Sequence, residues 1–117
     1  MKTILCIDDD SSILELRRRV LESSGYGVLT APSGVDGLKL VSQGAKVDLV
    51  LLDYLMPGMN GDEVAENLKS EFPALPVIAM SGAHLPERMM ETVDACIPKG
   101  QRVEILLSMI SKTLASA

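Results

Sequence analysis

Five short apolar runs alternate with segments of helical periodicity, which predicts a doubly wound α/β fold on a five-stranded parallel sheet. The third run, Val47-Asp48-Leu49-Val50-Leu51-Leu52, is almost wholly apolar, as expected of a central strand covered on both faces. A length of 117 residues suits one domain, residues 1–117, and no linker, internal repeat or low-complexity tract divides it.

The first run, residues 4–7, leads into a helix that Ser11 or Ser12 can cap. Ile13, Leu14, Leu16, Val20 and Leu21 are its apolar positions, and Gly25 stands near its end. The second run, residues 28–31, precedes a helix capped by Ser33, with Val35, Leu38 and Val41 inward and Gly44 closing it. After the third run, residues 47–52, Asn60 can cap a helix and Glu63 completes a capping box, with Val64, Ala65 and Leu68 as the buried face. The fourth run, residues 77–80, is followed by a weaker helical signal over residues 85–93. The fifth, residues 95–97, precedes a helix over residues 103–114 with Val103, Leu106, Leu107 and Ile110 at helical spacing.

Eleven Lys and Arg against sixteen Asp and Glu leave a formal charge of −5, which argues against nucleic-acid binding through this domain. No apolar run has the length of a membrane span, and the N-terminus lacks the apolar stretch and cleavage site of a signal peptide. The expectation is a cytoplasmic protein without membrane contact. Cys6 and Cys96 both lie in apolar runs and read as buried free thiols.

In parallel sheets ligands gather outside the carboxyl ends of the strands. The first run ends in Asp8-Asp9-Asp10, the third in Asp53, the fourth in Ser81, and Lys99 follows the fifth. Carboxylates crowded together raise one another's pKa, and a divalent cation removes that conflict. All-oxygen ligation by few carboxylates suits Mg²⁺, with Mn²⁺ as the alternative. A carboxylate beside such a metal can act as a nucleophile and form an aspartyl phosphate. Lys99 and the Ser81 hydroxyl would then meet the phosphoryl oxygens. Taken singly, each feature has a plainer explanation: acids at a helix N-terminus, a turn-forming Asp before Pro57-Gly58, an ordinary Ser-Gly turn, a solvated lysine. Their joint placement after four strands argues against coincidence.

Four segments resemble the response-regulator receiver family: residues 4–10 (ILCIDDD), residues 48–61 (DLVLLDYLMPGMNG), residues 77–83 (VIAMSGA) and Ile97-Pro98-Lys99. The resemblance spans the whole chain, and the second segment is its most specific part. It implies the flavodoxin-like, CheY-like sheet order 2-1-3-4-5 with five helices, an order for which a receiver is itself a standard illustration. It further implies that Asp53 takes a phosphoryl group from a phosphohistidine on a sensor histidine kinase or phosphotransfer domain. Asp8 and Asp9 match the acidic pair that holds Mg²⁺, and the Leu55 backbone carbonyl matches a further metal ligand. Ser81 and Lys99 match the hydroxyl and the lysine that bind the phosphoryl group.

Three departures from the family pattern stand out. Cys96 occupies the place of the usual Tyr or Phe switch residue, so the output movement is expected in residues 81–92 instead. Lys99 follows Ser81 by only 18 positions, which shortens the fourth helix. Gly100 replaces the usual proline after the lysine; a cis bond there would cost roughly 2.5–4 kcal/mol, so a trans bond is expected.

On a helical wheel Arg17 falls among Ile13, Leu14, Val20 and Leu21, while Arg18 and Arg19 point elsewhere. The Arg17-Arg18-Arg19 run reads as a solvated face along which Arg17 snorkels, or as a docking surface for an acidic patch on a kinase or phosphotransfer domain. The leading function is a two-component receiver, acting alone or as part of a larger protein, that switches the binding of an unidentified downstream partner. The alternative is a Mg²⁺-dependent phosphohydrolase forming an aspartyl phosphate, for which Asp8 and Asp10 have the nucleophile-to-acid spacing. A Gly-rich phosphate loop after the first strand would indicate a nucleotide or flavin binder, and three Asp stand there instead.

Overall fold

Hydrophobic alternation along the strands decides the architecture. In the computed structural model, which describes every residue except Pro57, Ala83, His84 and Ala117, the strands are β1 (Thr3–Ile7), β2 (Gly27–Ala31), β3 (Leu49–Asp53), β4 (Val77–Ser81) and β5 (Ala95–Pro98). They form one parallel sheet in the order β2-β1-β3-β4-β5. The helices are α1 (Ser11–Ser23), α2 (Gly34–Ser42), α3 (Gly61–Glu71), α4 (Glu87–Thr92) and α5 (Val103–Ser116).

Successive side chains on a strand face opposite ways. Ile4, Cys6, Leu49, Leu51, Ile78 and Met80 thus pack with Leu14 and Leu21 of α1 and Leu106 and Ile110 of α5. Leu5, Ile7, Val50, Leu52, Val77 and Ala79 pack with Val41 of α2, Val64, Ala65 and Leu68 of α3, and Met89 of α4. Each fully buried Leu, Ile or Val contributes about 1.5–3 kcal/mol of burial free energy. β3 is buried at all its positions because both layers meet there.

Several expectations need correction. β3 begins at Leu49, not Val47: the Asp48 carboxylate instead accepts the Thr3 N–H at 2.8 Å and anchors the start of β1. Asp94 does the same for β4, accepting the Val77 N–H at 2.7 Å. The α1 cap is Asp10, whose Oδ1 accepts from the Ser12 and Ile13 N–H groups, so neither Ser11 nor Ser12 is needed there. Ser33 caps α2 as expected. Val35, however, faces solvent, and Gly34, Gly37 and Val41 form the buried stripe. A Cβ on Gly37 would collide with the Ile7 side chain, so the glycine lets α2 lie close to β1. Asn60 stands at the α3 N-cap but its side chain makes no capping bond, and Asp62, not the predicted box, accepts the Glu63 N–H. Val103 is exposed, leaving Leu106 and Ile110 to hold α5.

The fourth helix is short, six residues, in keeping with the reduced spacing between Ser81 and Lys99. No cis peptide bond occurs among the described residues, and Gly100 has φ +87°, so a left-handed residue turns the chain after Lys99. No helix among the described residues is long and apolar enough to cross a membrane.

Neither cysteine is in a disulfide; Cys6 is buried as expected, whereas Cys96, on the edge strand β5, is only half-buried. Burial pushes the Cys6 thiol up to about 12, and Cys96 is raised by the same cause. A thiolate is the reactive form. In native buffer at neutral pH a disulfide reagent should therefore leave Cys6 untouched until denaturation, while the half-buried Cys96 should react first. Rapid stoichiometric labelling of Cys6 in the native state would contradict its burial.

Candidate functional site

The parallel register brings the ends of β1, β3, β4 and β5 to one edge. Ile7 lies opposite Leu52, Asp53 opposite Met80, and Ser81 opposite Pro98. Asp8 follows Ile7 and Asp53 follows Leu52, so the two carboxylates emerge side by side. Asp8 is fully buried, Asp53 is 2% exposed, and Asp9 is exposed. Asp8, Asp9 and Asp53 each offer an oxygen within 4.8 Å of the others.

Lys99 reaches the cluster from the end of β5. Its N–H donates to the Ser81 carbonyl at 2.8 Å, which fixes the chain beside β4. Its Nζ lies 2.9 Å from Asp53 Oδ1 and 3.8 Å from Asp8 Oδ2. The Asp53 contact is an ion pair at short distance, and the buried Oδ1 has no further partner among the described residues. Ser81 ends β4 and is 5% exposed. Gly61 keeps α3 against this edge: its N–H donates to the Tyr54 carbonyl at 2.9 Å, and a Cβ there would lie 2.8 Å from the Asp53 carbonyl.

Burial raises the Asp53 carboxyl above its ordinary value; the Lys99 ammonium opposes that rise, and the Asp8 and Asp9 charges add to it. Asp53 is thus a buried, poorly satisfied carboxylate with one ammonium beside it. The donor set fits a hard divalent cation: three carboxylate oxygens converge, and the buried Asp53 Oδ1 has only the Lys99 ammonium beside it among the described residues.

Asp8, Asp9, Asp53 and Lys99, all singled out from the sequence, come together as expected, and Ser81 lies on the neighbouring strand end. Leu55, two residues past Asp53, has a side chain 58% exposed. Ala83, expected to border the entrance, lies outside the described residues, as do Pro57 and His84 of the quoted segments. Asp10 caps α1, which uses the carboxylate that the phosphohydrolase alternative needs as its acid. The sequence reading missed one member. Arg17 is 8% exposed, and its Nη1 donates to Asp8 Oδ2 at 3.1 Å. It is neither a solvated nor a snorkelling residue. Arg18 and Arg19 do lie at the surface and pair with Glu15. The signal was present in the wheel position of Arg17, about two turns beyond the acidic segment and among apolar residues.

A five-stranded 2-1-3-4-5 sheet with carboxylates and a lysine at its carboxyl edge defines a receiver. Residues 4–110 match the family model of the response regulator receiver domain, and the chain belongs to that family. It is 33% identical over 115 residues to the response regulator MprA of Mycobacterium leprae, covering 95% of this chain and 50% of that protein. The chain thus spans about half the length of the curated relatives it matches. A CheY-like receiver domain protein from Methanospirillum hungatei superposes with a TM-score of 0.93 at 30% identity, covering 99% of this chain and 95% of the other. The response regulator TrrA of Thermotoga maritima superposes in two crystal structures. One is a complex with Mg²⁺–BeF (TM-score 0.91, 30% identity, 97% and 99% coverage). The other is a complex with the histidine kinase ThkA (TM-score 0.90, 32% identity, 97% and 99% coverage). The chain is a receiver domain of the two-component signalling class, with the CheY-like fold.

Proposed function

We propose that Asp53 accepts a phosphoryl group from a phosphohistidine on a sensor histidine kinase or phosphotransfer domain, and that Asp8 and Asp9 support the transfer by holding Mg²⁺. The observation that carries this is the Asp53 carboxylate itself, buried at the end of β3 with the Lys99 Nζ at 2.9 Å and two further carboxylates beside it. A carboxylate oxygen of Asp53 attacks phosphorus, the phosphorus–nitrogen bond breaks, and the imidazole leaves with the electron pair and takes up a proton. Lys99 pairs with the phosphoryl oxygens in place of Asp53, and the Ser81 hydroxyl donates to one of them. Asp8, Asp9, Asp53 and the Leu55 carbonyl would hold Mg²⁺, or Mn²⁺ in its place, which would supply positive charge against the crowded oxygens.

The downstream step is a change in partner binding. Ser81, drawn toward the phosphoryl group, pulls on the chain leading to α4, and the small Cys96 leaves that segment as the moving part. A net charge of −5 fits a protein partner better than nucleic acid at this domain, and the setting is the cytoplasm. The deciding experiment is intact-mass analysis after a small phosphodonor, with and without Mg²⁺. One added phosphoryl group only with Mg²⁺ is expected; none under either condition would sink the reading.

The exposed Leu55 side chain leads to an expectation about lifetime. Hydrolysis needs a water in line with the acyl phosphate, and leucine cannot hydrogen-bond and orient it. Replacing Leu55 by Asn or Glu should shorten the life of the phosphorylated form, and Ala83→Glu should act the same way. Loss of the phosphoryl group is timed by mass in excess Mg²⁺; unchanged or slower loss would place control of water elsewhere.

A further inference from the structure

The buried Arg17 has no part in the phosphoryl transfer proposed above, yet it touches the carboxylate most deeply set in the site. Asp8 is fully buried and both its oxygens are engaged: Oδ1 accepts the Asp10 N–H at 3.0 Å and Oδ2 accepts from Arg17 Nη1 at 3.1 Å. Lys99, the other cation at the cluster, sits closer to Asp53 than to Asp8, at 2.9 Å against 3.8 Å. Each buried carboxylate therefore has its own cation.

Arg17 also borders a groove of about 280 Å³ between α1 and α5, where Ile13, Leu16, Val20, Ile97 and Val103 line the wall. Arginine at an apolar wheel position would ordinarily extend its stem along such a groove toward water. Here the guanidinium turns inward to a charge instead, with the groove beside it as a second place to go.

We propose that Arg17 is a built-in counter-ion that holds Asp8 in the metal-free receiver and sets the Mg²⁺ affinity of the site by competing for that carboxylate. This rests on the reading of Asp8, Asp9 and Asp53 as the Mg²⁺ site. Without the metal, Arg17 neutralises a carboxylate whose unpaired burial would be costly. Entry of a divalent cation must overcome that pairing and the repulsion between the metal and the guanidinium. Arg17 is thus a positioning residue: it keeps the site assembled when empty and makes loading reversible over a useful Mg²⁺ range.

The test is titration calorimetry of Mg²⁺ into the unphosphorylated full chain, with thermal unfolding in chelator and in saturating Mg²⁺ alongside. Arg17→Leu should bind Mg²⁺ about tenfold more tightly at low ionic strength. It should unfold at a lower temperature than wild type in chelator and gain more from Mg²⁺. Arg17→Gln, which removes the charge but keeps a polar, shorter side chain, should change in the same direction and decides the matter if the leucine variant does not fold. Arg19→Gln removes the same charge from an exposed position paired to Glu15 and should leave the affinity within about twofold of wild type. Tightening of about threefold or more in the Arg17 variants, beyond that of Arg19→Gln, supports the proposal. A smaller change, or one matched by Arg19→Gln, overturns it, including the case in which Arg17→Leu only loses stability. If wild type shows no Mg²⁺ heat, or if Asp8→Asn/Asp9→Asn retains it, the acidic-site reading fails first and takes the inference with it.

Discussion

Asp53→Asn is expected to abolish phosphoryl gain and, in metal-free buffer, to unfold at a higher temperature than the parent chain. The first effect follows from removing the only nucleophilic oxygen that β3 delivers to the cluster. Asn keeps the shape and leaves Lys99, partly exposed, free to turn to water. The second effect follows from the raised Asp53 carboxyl. A carboxyl whose folded value exceeds its unfolded value, 3.8, binds protons more tightly in the native state. Stability then falls as pH rises from the unfolded value through the folded one, and stays reduced above it. At neutral pH ionised Asp53 therefore strains the metal-free fold, and Asn relieves it. Below the unfolded value both states are protonated, so the advantage of Asn should vanish on acidification. Labelling by intact mass and chemical unfolding from acid to neutral pH in chelator check the two effects. Persistent labelling of Asp53→Asn would move the acceptor elsewhere, and lower stability at neutral pH would contradict the desolvation account.

The fold was legible because both layers of the sheet draw on one alternation. Leu49 and Leu51 serve one layer and Val50 and Leu52 the other, which is why the continuous apolar run suits a strand covered twice. Local devices were less legible because several side chains compete for each one. Three adjacent aspartates and two serines could all cap α1; the backbone turn after β1 gave the cap to Asp10 and set Asp8 inward. Asn60 and Glu63 have the capping-box spacing, but the close approach of Gly61 to Tyr54 and Asp53 fixes the entry to α3 through backbone bonds instead. Val35 and Val103 were assigned inward by periodicity alone, whereas glycines carry the buried stripe of α2 and α5 is held one turn later.

The site was legible wherever it depended on strand ends, since a parallel register aligns them without reference to side chains. What escaped was the charge balance. Three carboxylates and one lysine leave negative charge in a buried place, and such a cluster needs a cation of its own chain or from solution. Arg17 was in view as an oddity on the apolar face of α1, but periodicity ranks residues by hydropathy and does not say which charge lies across the turn. Asp48 and Asp94 show the converse: aspartates as near to strands as Asp8 and Asp53, yet used to anchor strand starts at the opposite edge.

Asp8 and Asp9 carry the same charge one residue apart, and their neutralisation should separate sharply. On the sequence alone, removing both relieves repulsion and raises stability. The structure splits the pair. Asp9 is exposed, so Asp9→Asn should change metal-free stability by no more than about 0.5 kcal/mol. Asp8 is fully buried against Arg17, and Asp8→Asn strands a guanidinium that is itself 8% exposed. Removing one partner of a buried pair costs about 3–5 kcal/mol, and relief of repulsion from Asp53 and Asp9 offsets part of it, so a loss of about 1–3 kcal/mol is expected. Both variants should lose Mg²⁺-dependent labelling by more than the roughly tenfold effect of an outer-shell change, and the double variant should lose it entirely. Adding Arg17→Leu to Asp8→Asn should then recover most of the lost stability without recovering labelling, because the uncharged Asn–Leu pair no longer contains an unmatched charge. Urea unfolding in chelator, beside labelling across a Mg²⁺ series, measures both. Equal stability of Asp8→Asn and Asp9→Asn, or no recovery in the Arg17→Leu double variant, would mean that the ion pair does not hold this corner of the fold.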